Sequence, residues 1–371
     1  MACGGATSSP RLSPAGSVLY LVDYQQRPTG GWLEVSPLDA ATGRQLTRPP
    51  ATKRKQPYVE GAWAPDGMRI ALLRGGGKRS RGVYTIGAQG GPLHRLVSAR
   101  NLPAPLVMRR GDLLWSRDAK LIAFQTDTPL TRGCGQKAAD VDLYSVPASG
   151  GRVRRLHAFP PKRLPLKRNA LLLSLAGWSP NSQRVLYIAT QFSYCDSRDD
   201  DVVSSALYTV RSRGGGRARV ARRGCCIDAA AWAPDGGRIA FSTSCSIVSD
   251  CQIFLLEQGR VRRLTRLHAE YLSWVWSPTG KEIYYTAENA DGGDVVAIDV
   301  DSGETRTISR MNAVIEAISS DGQILALSEA DESAQPRIVL LSIDGQQKLT
   351  LPLPRPTRPR TQILDYSIHL P

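Results

Sequence analysis

The ten residues AWAPDGMRIA at Ala62–Ala71 recur at Ala231–Ala240 as AWAPDGGRIA, with nine letters of ten in agreement. Looser copies begin at Leu12 (LSPAGSVLYLV), Trp115 (WSRDAKLIAFQ), Trp178 (WSPNSQRVLYI), Trp276 (WSPTGKEIYYT) and Ile318 (ISSDGQILALS). Successive copies lie 51, 52, 63, 54, 44 and 42 residues apart. A catalytic motif has no reason to occur seven times, whereas a repeated supersecondary unit does. The phrase is therefore structural.

Its letters describe a tight turn. Pro presets φ at the first corner, Asp or Asn caps the turn, and Gly takes the left-handed corner. The stretch that follows, RIAFS for example, is apolar and aromatic enough for a buried strand, and the Trp before the turn ends the preceding one. Each phrase thus predicts a hairpin. A second hairpin follows it: VYTIGAQGGPLHRLV from Val83, DLYSVPASGGRVRRLH from Asp142 and ALYTVRSRGGGRARVA from Ala206 share a β-rich run, a Gly turn and a strand of alternating basic and apolar letters. That alternation suits an edge strand facing solvent. Two hairpins give four antiparallel strands per unit, and seven such units without helices predict an all-β, seven-bladed β-propeller. The first unit lacks an apolar strand before its turn, while TQILDYSIHLP is left over at Thr361–Pro371. The C-terminal strand is therefore expected to complete the first blade and close the ring, with one domain over 13–371 behind a flexible tether, 1–12.

The pattern W-[SA]-P-[DN]-G, an apolar strand, then G-G and L-T, resembles the WD40-like PD40 repeat of the TolB family of bacterial envelope proteins. The resemblance runs from about Leu12 to Leu353. It implies a propeller that binds other molecules, in the periplasm or on the outer cell surface. There are departures. The family's propeller is six-bladed and follows a smaller α/β domain, the third unit reads Arg117-Asp118-Ala119 in place of Pro-Asp-Gly, and the seventh lacks the Trp.

Composition narrows the alternatives. Apolar residues make up 42% of the chain, enough for a substantial core, and 34 Gly with 25 Pro supply turns. No uncharged apolar run approaches the ~18 residues of a membrane-spanning helix. The net charge of +15 raises nucleic acid as a partner. However, the basic clusters at 53–55, 109–110, 162–168, 211–223 and 355–360 are separated along the chain and carry no interleaved aromatics for base stacking. Only 9 of the 48 basic residues are Lys, which fits a codon bias towards Arg. The expectation is a solvated outer surface, no specific nucleic-acid partner and a monomer.

Six of the seven cysteines map to one face of three consecutive units. Cys134, Cys195, Cys245 and Cys251 fall between second and third strands, and Cys225 and Cys226 fall between units. Disulfides in an oxidising compartment are the main expectation, with Cys245–Cys251 the simplest pair; free thiols and a zinc site are the alternatives. Zinc would ordinarily show paired C-x2-4-C spacing, which is missing. Cys3, in ACGGATSSP, is similar to the lipidated cysteine of a bacterial lipoprotein, although a hydrophobic signal segment does not precede it. An incidental cysteine in a frayed terminus is the competing reading.

Enzymatic signals are sparse. There is no G-x-S-x-G elbow, and RGGGKRS at Arg74 places Arg79 where a phosphate loop needs Ser or Thr and lies between strands rather than before a helix. The acidic CDSRDDD could hold calcium, but a solvated loop explains it as well. The expected binding face is formed by loops 128–140, 191–205 and 243–251, with Arg132, Tyr194, Asp199, Asp200 and Asp201 as candidate contacts. The sequence supports a non-enzymatic module with no cofactor or metal, engaging a protein, peptide or envelope glycan. The competing expectation is a lyase or hydrolase with its site at the channel mouth.

Overall fold

The computed structural model describes residues 17–24, 34–39, 58–74, 81–87, 90–98, 100, 113–131, 137–157, 169–193, 201–244, 251–267, 269, 271–289, 292–330, 336–352 and 361–369. These form 27 strands, and among them no helix is long and apolar enough to cross a membrane.

Sheet A begins with β1 (Ser17–Tyr24) and β2 (Glu34–Asp39). Sheet B holds β3 (Tyr58–Trp63), β4 (Arg69–Arg74), β5 (Gly82–Gly87) and β6 (Gly90–Ser98). Sheet C holds β7 (Leu113–Trp115), β8 (Leu121–Thr131), β9 (Lys137–Pro147) and β10 (Arg154–His157). Sheet D holds β11 (Asn169–Trp178), β12 (Arg184–Ser193), β13 (Asp201–Arg211) and β14 (Ala218–Arg223). Sheet E holds β15 (Cys226–Trp232), β16 (Arg238–Ser244), β17 (Cys251–Glu257) and β18 (Arg260–Arg263). Sheet F holds β19 (Tyr271–Trp276), β20 (Glu282–Asn289), β21 (Gly292–Asp299) and β22 (Thr305–Arg310). Sheet G holds β23 (Val314–Ile318), β24 (Ile324–Ala330), β25 (Pro336–Ser342) and β26 (Gln347–Pro352). The last strand, β27 (Thr361–His369), pairs antiparallel with β1 and makes sheet A three-stranded, in the order β2-β1-β27. The other six sheets are four-stranded antiparallel meanders.

The repeated phrase builds the same turn in each four-stranded sheet. The strand before it ends at Trp63, Trp115, Trp178, Trp232, Trp276 or Ile318. The next residue donates its N–H across the turn to the start of the second strand, as Ala64 does to the Arg69 carbonyl at 2.8 Å and Ser319 to that of Ile324 at 2.8 Å. The Asp, Asn or Thr at the third turn position accepts the N–H two residues on: Met68 to Asp66 at 2.9 Å, Gln183 to Asn181 at 3.1 Å, Gly237 to Asp235 at 2.7 Å. The following residue is left-handed, as foreseen for Gly. Ala119 and Ser182 adopt the same conformation at φ 54° and 59°, so the irregular third unit still makes the turn.

The chain divides into two compact units, one built on Leu96–Arg266 with sheets C, D and E, the other on Ser9–Arg95 and Leu267–Pro371 with sheets A, B, F and G. Within the first, β11 packs on β7, β8 and β9, and β15 packs on β11, β12 and β13. One apolar cluster joins C to D through Ala123, Leu143, Leu173, Trp178 and Tyr187; another joins D to E through Leu186, Leu207, Ile227 and Phe241. Trp178 also donates its indole N–H to the Leu114 carbonyl at 3.2 Å, tying D to C. In the second unit β23 packs on β19, β27 on both β23 and β3, and β1 on β3. Val275, Tyr284, Ile315, Leu325 and Val339 form the core between F and G.

Candidate functional site

The four strands of a meander bring two kinds of turn to opposite ends of each sheet. The repeated phrase and the third-to-fourth-strand turn share one end. There they are joined by hydrogen bonds such as Ser212 N–H to the Gln183 carbonyl at 2.8 Å and Val300 N–H to that of Lys281 at 2.8 Å. The second-to-third-strand hairpins and the connections between sheets share the other end, which carries Cys225, Cys226 and Cys251.

Towards that end the second strands of sheets C to G exchange their apolar letters for hydroxyls, whereas β4 of sheet B ends in Arg74. Thr126, Thr190, Thr243, Thr286 and Ser328 are all buried there. Thr190 bonds Ser205 at 2.6 Å, and Thr286 bonds Ser273 at 2.6 Å, whose oxygen also accepts the Ile315 N–H of the neighbouring sheet at 2.8 Å. The signal is visible in strands such as RIAFST and RVLYIAT, whose last letters turn polar.

Two carboxylates join this hydroxyl layer at equivalent places. Asp228 lies at a register break between Ile227 and Ala229 in β15 and accepts a hydrogen bond from Ser244 at 3.0 Å. Glu316 lies at the matching break in β23 and accepts one from Ser328 at 2.7 Å. Such bulges re-aim a side chain out of the ladder. Burial pushes the Asp228 carboxyl up to about 6, against the lowering effect of the Ser244 hydrogen bond. Sequence reasoning missed both acids; the signal is a lone acid in an otherwise apolar lead strand, CIDAAAW and VIEAI.

The cysteines stand beside Asp228. Cys226 is the first residue of β15 and Cys251 the first of β17, so neither lies wholly within a loop as expected. Both pair in register with Ser244 of the strand between them, and both are buried, at 2% and 6% exposed. Two strand spacings separate them, roughly 9.6 Å, which rules out a direct Cys226–Cys251 bridge. Cys3, Cys134, Cys195 and Cys245 lie outside the described residues, as do Arg132, Tyr194, Asp199 and Asp200. Just before the cysteine pair, Arg223 lies over the Phe254 and Phe241 rings at 4.4 and 5.6 Å, and burial lowers its pKa.

The expected loops are shorter than the sequence indicated. Residues 128–131 and 137–140 are paired in β8 and β9, 191–193 and 201–205 in β12 and β13, and 243–244 and 251 in β16 and β17. Asp201 is thus a strand residue opposite Ser193. β-branched and apolar letters continue the ladder where loss of the core pattern had suggested a loop. β8 and β9 reach 11 residues each, against 6 for β4 and β5. Among the described residues no three His, Cys, Asp or Glu side chains come together to hold a metal ion.

All-β meanders of this kind, joined through their lead strands and carrying one repeated turn, define the propeller class of repeat protein. The model of the TolB beta propeller domain, PD40, matches residues 162–355, and the chain belongs to that family. No curated protein sequence matches the chain. Among solved structures, an oligogalacturonate lyase in complex with manganese superposes at TM-score 0.61 with 13% identity, over 91% of this chain and 89% of that one. A putative dipeptidyl aminopeptidase IV from Bacteroides ovatus gives TM-score 0.52 and 13% identity, over 90% of this chain and 51% of that one. TolB from Acinetobacter baumannii gives TM-score 0.47 and 15% identity, over 96% and 67%. At these identities the likeness is one of fold.

Proposed function

We propose that the seven sheets form a closed seven-bladed ring, with β27 as the lead strand of the first blade, and that the ring is a non-enzymatic binding or scaffold module of the bacterial cell envelope. It engages a protein, peptide or glycan through the cysteine-bearing end of the sheets. The observation that carries this reading is the contrast between the ends: one repeats the same turn six times, while the other bears extended hairpins, bulged acids and clustered cysteines. Surfaces that diverge on a repeated scaffold are where repeat proteins bind. The cysteine cluster supports disulfides and an oxidising compartment, periplasm or outer surface, with Cys3 as a lipid attachment point. Cys225, Cys226, Cys245, Cys134 and Cys195 remain the bridge candidates; Cys251 is a buried thiol, so the expected Cys245–Cys251 pair is not among them.

A photo-crosslinking residue placed in the β8–β9 hairpin, and in parallel at exposed Met68 at the turn end, tests the binding face in the native host. Adducts from the hairpin alone are expected; adducts from Met68 alone would overturn the assignment.

An enzymatic reading has one observation in its favour, the half-buried Asp228 carboxyl with its raised pKa. Cleavage of oligogalacturonate in the presence of manganese, lost in Asp228→Asn, would replace the binding reading with it.

A further inference from the structure

Of the basic clusters of the sequence, 211–223 forms the outer strand of sheet D with its turn, and the outer strands of sheets C and E on either side are basic as well. The outermost strands of sheets C, D and E and their turns, 150–157, 211–223 and 257–266, read GGRVRRLH, RSRGGGRARVARR and EQGRVRRLTR. They hold 13 arginines and one acid, Glu257, and every arginine but Arg223 is exposed. The same positions in sheets B, F and G, 87–98, 299–310 and 342–352, hold four basic and four acidic residues. A codon bias towards Arg would load all six sheets alike. It does not explain this difference.

Some of these arginines have structural work. Arg155 holds buried Asp142 at 2.7 Å, Arg217 covers the Tyr208 ring, and Arg223 covers Phe254. Arg154, Arg219, Arg222, Arg260 and Arg263 are exposed on strands that are last in their sheets: β10, β14 and β18 each bond to no further strand among the described residues. An open strand edge presents N–H donors and carbonyl acceptors in alternation. Arg supplies forked donors that match a carboxylate.

We propose that the outer edges of sheets C, D and E form one arginine belt that binds a linear acidic polysaccharide, the arginines taking its carboxylates and the strand edges its hydroxyls. A chain carrying both groups matches donors and acceptors together. The belt carries no exposed large apolar side chain except Val261, so it lacks the insertion anchors of a membrane-surface element. It also lacks exposed aromatics for base stacking. The choice of a glycan over duplex nucleic acid rests on the envelope reading.

The test is titration of the full chain with polygalacturonate, with short duplex DNA and with phosphatidylglycerol-containing vesicles, each at several salt concentrations. It compares wild type with R154Q/R219Q/R222Q/R260Q/R263Q and with the control R95Q/R310Q, after matching urea unfolding curves. Salt-dependent polygalacturonate binding is expected, weakened about tenfold or more in the fivefold variant and within about twofold of wild type in the control. Equal weakening in both variants, or no binding, overturns the belt and leaves the envelope reading untouched. Preference for DNA overturns the glycan and the envelope reading together, and preference for vesicles makes the belt a membrane surface.

Discussion

The two ends of each sheet obey different rules. At the turn end, six sheets repeat one backbone hydrogen bond at 2.8–2.9 Å, one side-chain oxygen as cap and one left-handed residue. At the cysteine end the sheets diverge. Sheet C extends a hairpin of two 11-residue strands, sheet E buries two cysteines around Ser244, and sheets E and G aim an acid out of a bulge. Repetition marks what every blade needs in order to fold; variation marks what single blades contribute beyond folding.

The largest expected effect lies at the turn end. Trp178→Ala removes a buried indole that joins two sheets and leaves the Leu114 carbonyl without its donor. It should lower the unfolding free energy by about 3–5 kcal/mol in urea. Gly345 comes next: its φ is 89° and a Cβ would collide with the Ile308 carbonyl of the neighbouring sheet. Gly345→Ala should cost about 1–3 kcal/mol, and an unchanged midpoint would show that sheets F and G can shift apart there.

Asp228 sharpens the contrast because it works against stability. Its folded pKa, about 6, lies above the ordinary 3.8, so between those values the folded chain holds a proton that the unfolded chain releases. The penalty is absent below pH 3.8, grows as pH rises and is complete above about 6. Asp228→Asn should therefore stabilise the protein at pH 7.5 by on the order of 1 kcal/mol and have little effect at pH 3.5. A destabilised variant at both pH values would make Asp228 a structural acid rather than a retained functional one.

The smallest effect tests the turn itself. Ala119→Gly relieves a left-handed alanine and should gain about 0.5–1 kcal/mol. Ser182→Gly should show no such gain, since the Ser182 hydroxyl accepts the Asp118 N–H of the neighbouring sheet at 3.1 Å.

Legibility in the sequence follows the same division. The repeated hairpins of the six four-stranded sheets could be read from local chemistry, because Pro, Asp and Gly act on their own backbone and, in five of the six, a Trp marks the strand end. Even the pairing of β27 with β1 followed from an unmatched strand at each end of the chain. The cysteine end was read less well. Strand extension in β8 and β9 depends on a partner across the hairpin, which local composition does not report. The acids of β15 and β23 are single letters whose meaning comes from a bulge, and the arginine belt exists only once three segments about 60 and 45 residues apart are stacked side by side.

The division between ends is best tested by one paired measurement on two variants: Asp235→Ala at the turn end, and replacement of residues 129–139 by a two-residue Asn-Gly turn at the other. Each is scored for urea stability and for recovery of crosslinked partner from the native envelope. Asp235→Ala should lose stability and keep the partner, and the trimmed hairpin should keep stability and lose the partner. A trimmed chain that unfolds more readily while still capturing the partner would contradict the account.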